Sequence, residues 1–291
     1  MTLSRKALCR MKILVTGTDG QLGADVVTEL KKRHVDAITA SRRQFDITDE
    51  VVVRSFIIST HPDAVIHCAA YTAVDKAEDE PDLCRRVNAD GTRNIAAACR
   101  DAGAKMIYIS TDYVFPGVGM TPYEPGDPTG PLNVYGASKL AGEQAVKDLL
   151  ERYFIVRISW VFGANGKNFV KTMLRLAQSH KELNVVNDQT GSPTYTADLA
   201  PLLCDMAETE KYGVYHATNE GFCSWAQFAE EIFKDAELNV RVNPIPTSAY
   251  PLKATRPLNS RLSKACLDAA GFKRLPSWRD AVKRYLNEIS Q

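Results

Sequence analysis

A chain of 291 residues can bury a substantial core, as one large α/β unit or as a nucleotide-binding domain with a smaller lobe. Apolar residues make up 45% and charged residues 24%, ordinary for a globular enzyme, and a net charge of +1 offers no global attraction to nucleic acid or an anionic membrane. Seven cysteines stand singly without CxxC spacing, which argues against a disulfide framework or structural zinc and for a reducing, cytoplasmic compartment.

Residues 1–10 are basic but lack the apolar core of a secretory signal, and they read as a flexible arm ahead of Met11. No later segment has the apolar length of a membrane span. Lys12–Thr16 is a short β-rich run, followed by a glycine turn and a helix over Gln21–Lys32. Asp36–Ala40 is the next expected strand. Residues 49–59 read as a helix that Asp46 or Thr48 could cap. A buried strand is expected over 64–69, a long helix over 82–102 ended by Gly103, and a further apolar strand over 105–110. Strands separated by helices of this length predict a Rossmann-type, doubly wound parallel α/β sheet.

From 116 to 131 the composition turns to Gly, Pro and acidic residues, as in a lid or substrate loop. A helix over 134–152 and a strand over 154–160 follow. Beyond Gly163 the expected helices lie near 169–178, 199–209, 225–236 and 278–289, with 240–257 extended. The sheet domain is therefore expected over 11–163, and 164–291 mainly as a smaller substrate-binding lobe, with a return to the sheet near 192–217.

The run Gly17-Thr18-Asp19-Gly20-Gln21-Leu22-Gly23 is GxxGxxG at the first strand-to-helix junction. Without side chains the turn can tighten and bring backbone N–H groups to a pyrophosphate at the positive end of the next helix. No acidic residue ends the second strand; Arg42 and Arg43 follow it instead. They could hold a ribose 2′-phosphate, which favours NADPH over NADH, or they could be solvated surface arginines. Asp46 and Ile47 would reach the adenine edge.

Tyr135 and Lys139 stand four apart at the start of a helix, on one face and one turn from each other. A nearby ammonium, together with a cationic nicotinamide in the oxidised complex, is expected to stabilise phenolate and lower the phenol's pKa into a usable range. Thr111, at the carboxyl end of the 105–110 strand, could donate to a carbonyl where negative charge develops, with Ser110 in a structural role.

In this order these residues resemble the extended short-chain dehydrogenase/reductase superfamily, over nearly the whole chain after Met11. The run His67-Cys68-Ala69-Ala70-Tyr71-Thr72 is similar to its cofactor-contacting loop, and Asn88 to an asparagine that supports a proton relay. Within the superfamily the dTDP-4-dehydrorhamnose reductase family is the nearest likeness. Similar runs include 110–115, 131–136, 157–161, 168–173, 187–194 and 256–260. The resemblance implies Tyr135 as proton donor with Lys139 and Thr111, cofactor contacts at Cys68, Ala69, Ala70 and Tyr71, and Asp112, Tyr113 and Trp160 near the sugar. It also implies Arg256 at the substrate's diphosphate. Some members hold Mg2+ at a homodimer contact through glutamates; the first matching position is Asp25, which leaves metal and dimer open. Two other readings stay beside this one: a sugar-nucleotide epimerase or dehydratase, and a non-catalytic regulatory subunit like that of methionine adenosyltransferase. Dehydratases carry Glu where this chain has Tyr113.

Overall fold

A computed structural model describes residues 11–42 and 45–290; the 1–10 arm, Arg43, Gln44 and Gln291 lie outside the described residues. The first strand, β1 (Lys12–Thr16), pairs in parallel with β2 (Asp36–Ala40) on one side and with β3 (Ala64–His67) on the other. The ladder continues through β4 (Lys105–Thr111), β5 (Tyr153–Ile158) and β6 (Gly213–His216), all parallel, in the order β6-β5-β4-β3-β1-β2. Every residue of β3 and β4 is buried, which explains their nearly unbroken apolar sequences.

Alternation along the strands feeds two layers. Ile13, Ile107 and Val156 point to one face and pack with Val26 and Leu30 of α1 (Gln21–Lys32) and with Leu203 of a later helix, Thr196–Ala207. Leu14, Met106 and Ile155 point to the other, against α2 (Glu50–Thr60), α3 (Gly91–Ala102) and α4 (Val134–Leu149). The helix Thr196–Ala207, here α5, thus returns from the second half of the chain to cover the sheet, just before β6 extends it. A separate core of Phe162, Val170, Phe228, Trp278 and Tyr285 holds the remaining segments together. No described helix is long and apolar enough to cross a membrane.

Several sequence expectations are corrected. The helix expected over 82–102 is Pro81–Arg85, one π turn at Arg86–Asp90, and then α3. The extra residue of the π turn interrupts a periodicity that looked continuous. Asp49 caps α2, accepting from Val52 N at 3.0 Å; Asp46 is already engaged with the backbone and hydroxyl of Thr48. The strand expected over 154–160 stops at Ile158, because Trp160 takes a left-handed conformation with φ 49°. Within the stretch expected to be extended, Arg241–Ile245 is a strand paired with Glu182–Val186, and a 3-10 turn follows at Thr247–Ala249. The 116–131 loop is latched: Asn259 Nδ2 donates to the Val118 and Thr121 carbonyls, and Phe115 stacks on Tyr123.

Candidate active site

Strand order reverses at β1, and the crevice this opens at the carboxyl ends of β1 and β3 is where the glycine turn sits. Gly17 has φ +69°, and a Cβ there would lie 2.7 Å from the Ala69 nitrogen. A Cβ on Gly23 would lie 2.3 Å from the Gly17 carbonyl oxygen. The turn is therefore closed on the 68–71 loop on one side and on its own helix on the other. Helix α1 begins after Gly20 with no side-chain cap and no acidic residue in its first turn. Its first amides are left for an anion.

A cavity of about 1080 Å³ extends from this turn along the sheet edge. Gly17, Gly20, Gln21, Leu22 and Gly23 line it, together with Arg42, Asp46 and Ile47 and with Cys68, Ala69, Ala70 and Tyr71. So do Thr111, Asp112, Tyr113, Tyr135, Lys139 and Trp160. Of the residues singled out in the sequence, Arg43 lies outside the described residues. Arg256 lines a separate cavity of about 510 Å³, beside Thr247, Ser248 and Tyr250. Lys76, Arg86 and Lys167 also line the main cavity and had no motif to announce them. Asp46 is held below the usual carboxylate range, first by the Thr48 N–H and hydroxyl and further by Arg42 and Arg86.

The floor of the cleft is pinned by hydrogen bonds running through His67. Ala69 N donates to Thr16 Oγ1 (3.2 Å), and Thr16 Oγ1 lies 2.7 Å from His67 Nδ1. On the other side His67 Nε2 lies 3.2 Å from Thr92 Oγ1, which donates to the Asn88 carbonyl at 2.7 Å. With Thr16 and Thr92 each donating onward, the consistent tautomer is a neutral ring with its proton on Nε2. Burial, then Lys139, pulls His67 down to about 3, in line with that neutral state. The π turn aims the Asn88 side chain inward. Its amide donates to the Tyr71 carbonyl (3.0 Å) and to Ser138 Oγ (2.9 Å), and its oxygen accepts from Tyr71 N (2.8 Å). Asn88 thus clamps the 68–71 loop to α4.

Helix α4 carries Tyr135 and Lys139. Asn133 caps it through Gly136 N (2.8 Å), and Glu78 accepts from Val134 N (2.9 Å). A Cβ on Gly136 would lie 2.3 Å from the Tyr113 carbonyl oxygen, so this glycine lets the helix approach the 111–113 turn. Thr111 Oγ1 donates to Asp112 Oδ1 (3.0 Å), and the Tyr113 ring meets Tyr135 edge-on at 5.6 Å. Burial pushes the Asp112 carboxyl up to about 6, with Ser260 and Thr111 pulling the other way.

Lys139 is buried with Nζ 4.1 Å from the centroid of Tyr108, a cation–π contact. One turn on, Glu143 is fully buried, held by Arg157 (2.8 and 2.7 Å) and by Ser110 Oγ (2.6 Å). Sequence reasoning missed Glu143, although its i,i+4 spacing from Lys139 on the same helix was a signal that could have found it. Its pairing with Arg157 had no such signal. Burial lowers Lys139 to about 7, with Glu143 opposing. Burial also raises the Tyr135 phenol above its usual value, with a hydrogen bond to Thr111 pulling it back. In the chain by itself desolvation outweighs any help from Lys139, and the phenol is held above its ordinary value.

Trp160 stacks on Trp225 with centroids 3.7 Å apart, and Gly191 leaves room for its ring. Asp25, the position that matches the metal-holding glutamates by resemblance, has a buried Oδ2 without a hydrogen-bond partner among the described residues. Among those residues no three His, Cys, Asp or Glu side chains are grouped to hold a metal.

The RmlD substrate binding domain family model matches residues 11–291. A dTDP-4-dehydrorhamnose reductase of Streptomyces griseus is 44% identical over 280 residues, 94% of this chain and 92% of that one. Among solved structures, a dTDP-4-dehydrorhamnose reductase of Bacillus anthracis in complex with NADP superposes with a TM-score of 0.93 at 44% identity, covering 96% of this chain and 99% of that one. One from Clostridium acetobutylicum gives 0.95 at 42% identity, covering 97% and 100%.

Proposed function

The chain belongs to the family of the RmlD substrate binding domain, that of the dTDP-4-dehydrorhamnose reductases, and on that premise we propose that it reduces the C4 ketone of dTDP-4-dehydro-L-rhamnose to dTDP-L-rhamnose with NADPH. The observation that carries the reading is that the glycine turn, Thr111, Tyr135 and Lys139 line one cavity. A dinucleotide fits the residues present. Positions 17 and 23 exclude a Cβ, the start of α1 is uncapped, and the NADP of the Bacillus anthracis relative is the same class of molecule.

The Gly17–Gly23 turn would hold the pyrophosphate. Arg42, Arg43 and Arg86 would hold the 2′-phosphate, and Asp46 and Ile47 the adenine edge. NADH, lacking that phosphate, would bind more weakly. Cys68, Ala69, Ala70 and Tyr71 would line the path to the reacting end. When bound, the reduced nicotinamide supplies the hydride to C4. Tyr135 gives its proton to the ketone oxygen as that oxygen becomes an alkoxide, so the C=O becomes CH–OH. An alkoxide is far more basic than a phenolate, so a phenol kept protonated by burial is suited to reduction. Lys139 would hold the nicotinamide ribose and offset the phenolate charge after transfer. Thr111 would donate to the same ketone oxygen, with Asp112, Tyr113 and Trp160 around the sugar and Arg256 at the diphosphate.

The test follows nicotinamide absorbance with enzymatically generated keto-sugar, using NADPH and NADH in separate assays. The expected result is one NADPH consumed per sugar reduced, and faster turnover with NADPH. Sugar conversion with no net loss of NADPH would overturn the reading in favour of an epimerase.

A further inference from the structure

We propose that Asp75 is the positioning residue that aims Arg256 at the anionic half of the substrate, an inference that rests on the reductase reading. Asp75 belongs to the short helix Val74–Ala77, on the cofactor side of the fold, whose neighbours Val74 and Lys76 line the main cavity. Arg256 lies 181 positions further along the chain. The Asp75 carboxylate joins them with both oxygens: Oδ2 accepts from Arg256 Nη2 at 2.6 Å, and Oδ1 accepts from Ala254 N at 3.1 Å. One side chain therefore fixes the guanidinium and the segment that carries it. A second ion pair, Lys253 with Asp79, ties the same segment to the chain just beyond the helix.

The guanidinium is left half-used. Its Cζ lies 5.9 Å from the Tyr113 ring centroid, while Nη1 is buried with no partner among the described residues. A buried charged donor without an acceptor is costly, so this geometry is complete only when an acceptor arrives. Arg256 lines the 510 Å³ cavity with Thr247, Ser248 and Tyr250. A phosphate oxygen is the acceptor that a forked guanidinium suits, and Tyr113 in turn packs against Tyr135. Anchoring the diphosphate there would also set how far the sugar reaches toward the proton donor.

The carboxylate works against itself in one respect, since its charge repels a diphosphate. Asp75 is 42% exposed, so water screens that repulsion. A loosened arginine, by contrast, must be re-ordered at each binding event. Positioning is the larger effect.

The test uses the full-length enzyme with NADPH. For Asp75→Ala the expected result is a KM for the nucleotide sugar raised about tenfold, about 1.4 kcal/mol, with the loss falling on KM rather than kcat and no change in NADPH affinity. Titration with thymidine diphosphate should weaken by a similar factor. Asp75→Asn, whose one amide oxygen can accept from Nη2 or from Ala254 N but not from both, should recover only part of the loss. In an Arg256→Ala background Asp75→Ala should add nothing. Lowered KM in both Asp75 variants would overturn positioning in favour of charge repulsion, and parallel losses of sugar and NADPH affinity would reduce Asp75 to a structural role. A wild type that turns over no keto-sugar would overturn the reductase reading itself, whereas an active wild type with Asp75→Ala unaltered would overturn only this inference.

Discussion

Burial raises the Tyr135 phenol and lowers the Lys139 ammonium, and the proposed reduction calls for a phenol that holds its proton until the ketone oxygen gains charge. The lysine, brought down to about 7, rests on the face of Tyr108, while Glu143, one turn further along the helix, is held by Arg157. For Tyr135→Phe, removal of the proton donor should lower turnover by about 10²–10⁴-fold and leave NADPH binding within a few fold. Single-turnover absorbance and a cofactor titration give the two quantities, and near-normal turnover would remove Tyr135 from the mechanism. The sequence made these two residues legible through their spacing. It gave no sign of Tyr108, which reads as strand filler, or of Asp75, whose partner is remote in the chain.

Elements were legible in proportion to the simplicity of their burial. Strands β3 and β4 are covered on both faces and stand out as apolar runs. Helices α1 and α3 show their amphipathic period, and the glycine turn marks the junction that holds the crevice. What escaped were local departures from period: the π turn that points Asn88 inward, and the left-handed Trp160 that ends β5 early. Both depend on tertiary partners, Tyr71 and Ser138 for one and Trp225 for the other. The glycine turn permits a sharp test at this scale. Gly23→Ala drives a methyl into the Gly17 carbonyl and should cost about 1–3 kcal/mol of stability and at least tenfold in NADPH affinity. Gly126→Ala, with nothing within 4 Å, should change neither. Urea denaturation and fluorescence titration measure the pair, and unchanged NADPH affinity in Gly23→Ala would remove the turn from the cofactor site.

At the scale of the whole molecule, buried titratable groups set how the fold responds to acid. His67 and His216 are each held down to about 3, first by burial. Each binds a proton in the unfolded chain below its ordinary value of 6.5 but not in the folded one, so stability is lost as pH falls below 6.5. Asp112 has the opposite sign. Raised to about 6, it favours the folded state at low pH, and that contribution disappears as pH rises from 3.8 through about 6. Between about 6 and 3.8 these three groups leave a net uptake of one proton on unfolding, about 1.4 kcal/mol per pH unit. Asp112→Asn should steepen the loss to about two protons. Urea midpoints from pH 7 to pH 4.5 would measure both slopes, and a flat profile would refute the account.

The homecoming of α5 and β6 has a consequence for how such a chain can be cut and rejoined. A fragment ending at 163 would leave Ile13, Ile107 and Val156 without Leu203 above them and β5 without its outer neighbour. A fragment beginning there would carry an orphan strand. Exchanging the segments outside the sheet between relatives therefore needs three junctions, near 163, before α5 and after β6. The part of the chain outside the sheet is thus two segments flanking α5 and β6, and not a single detachable tail.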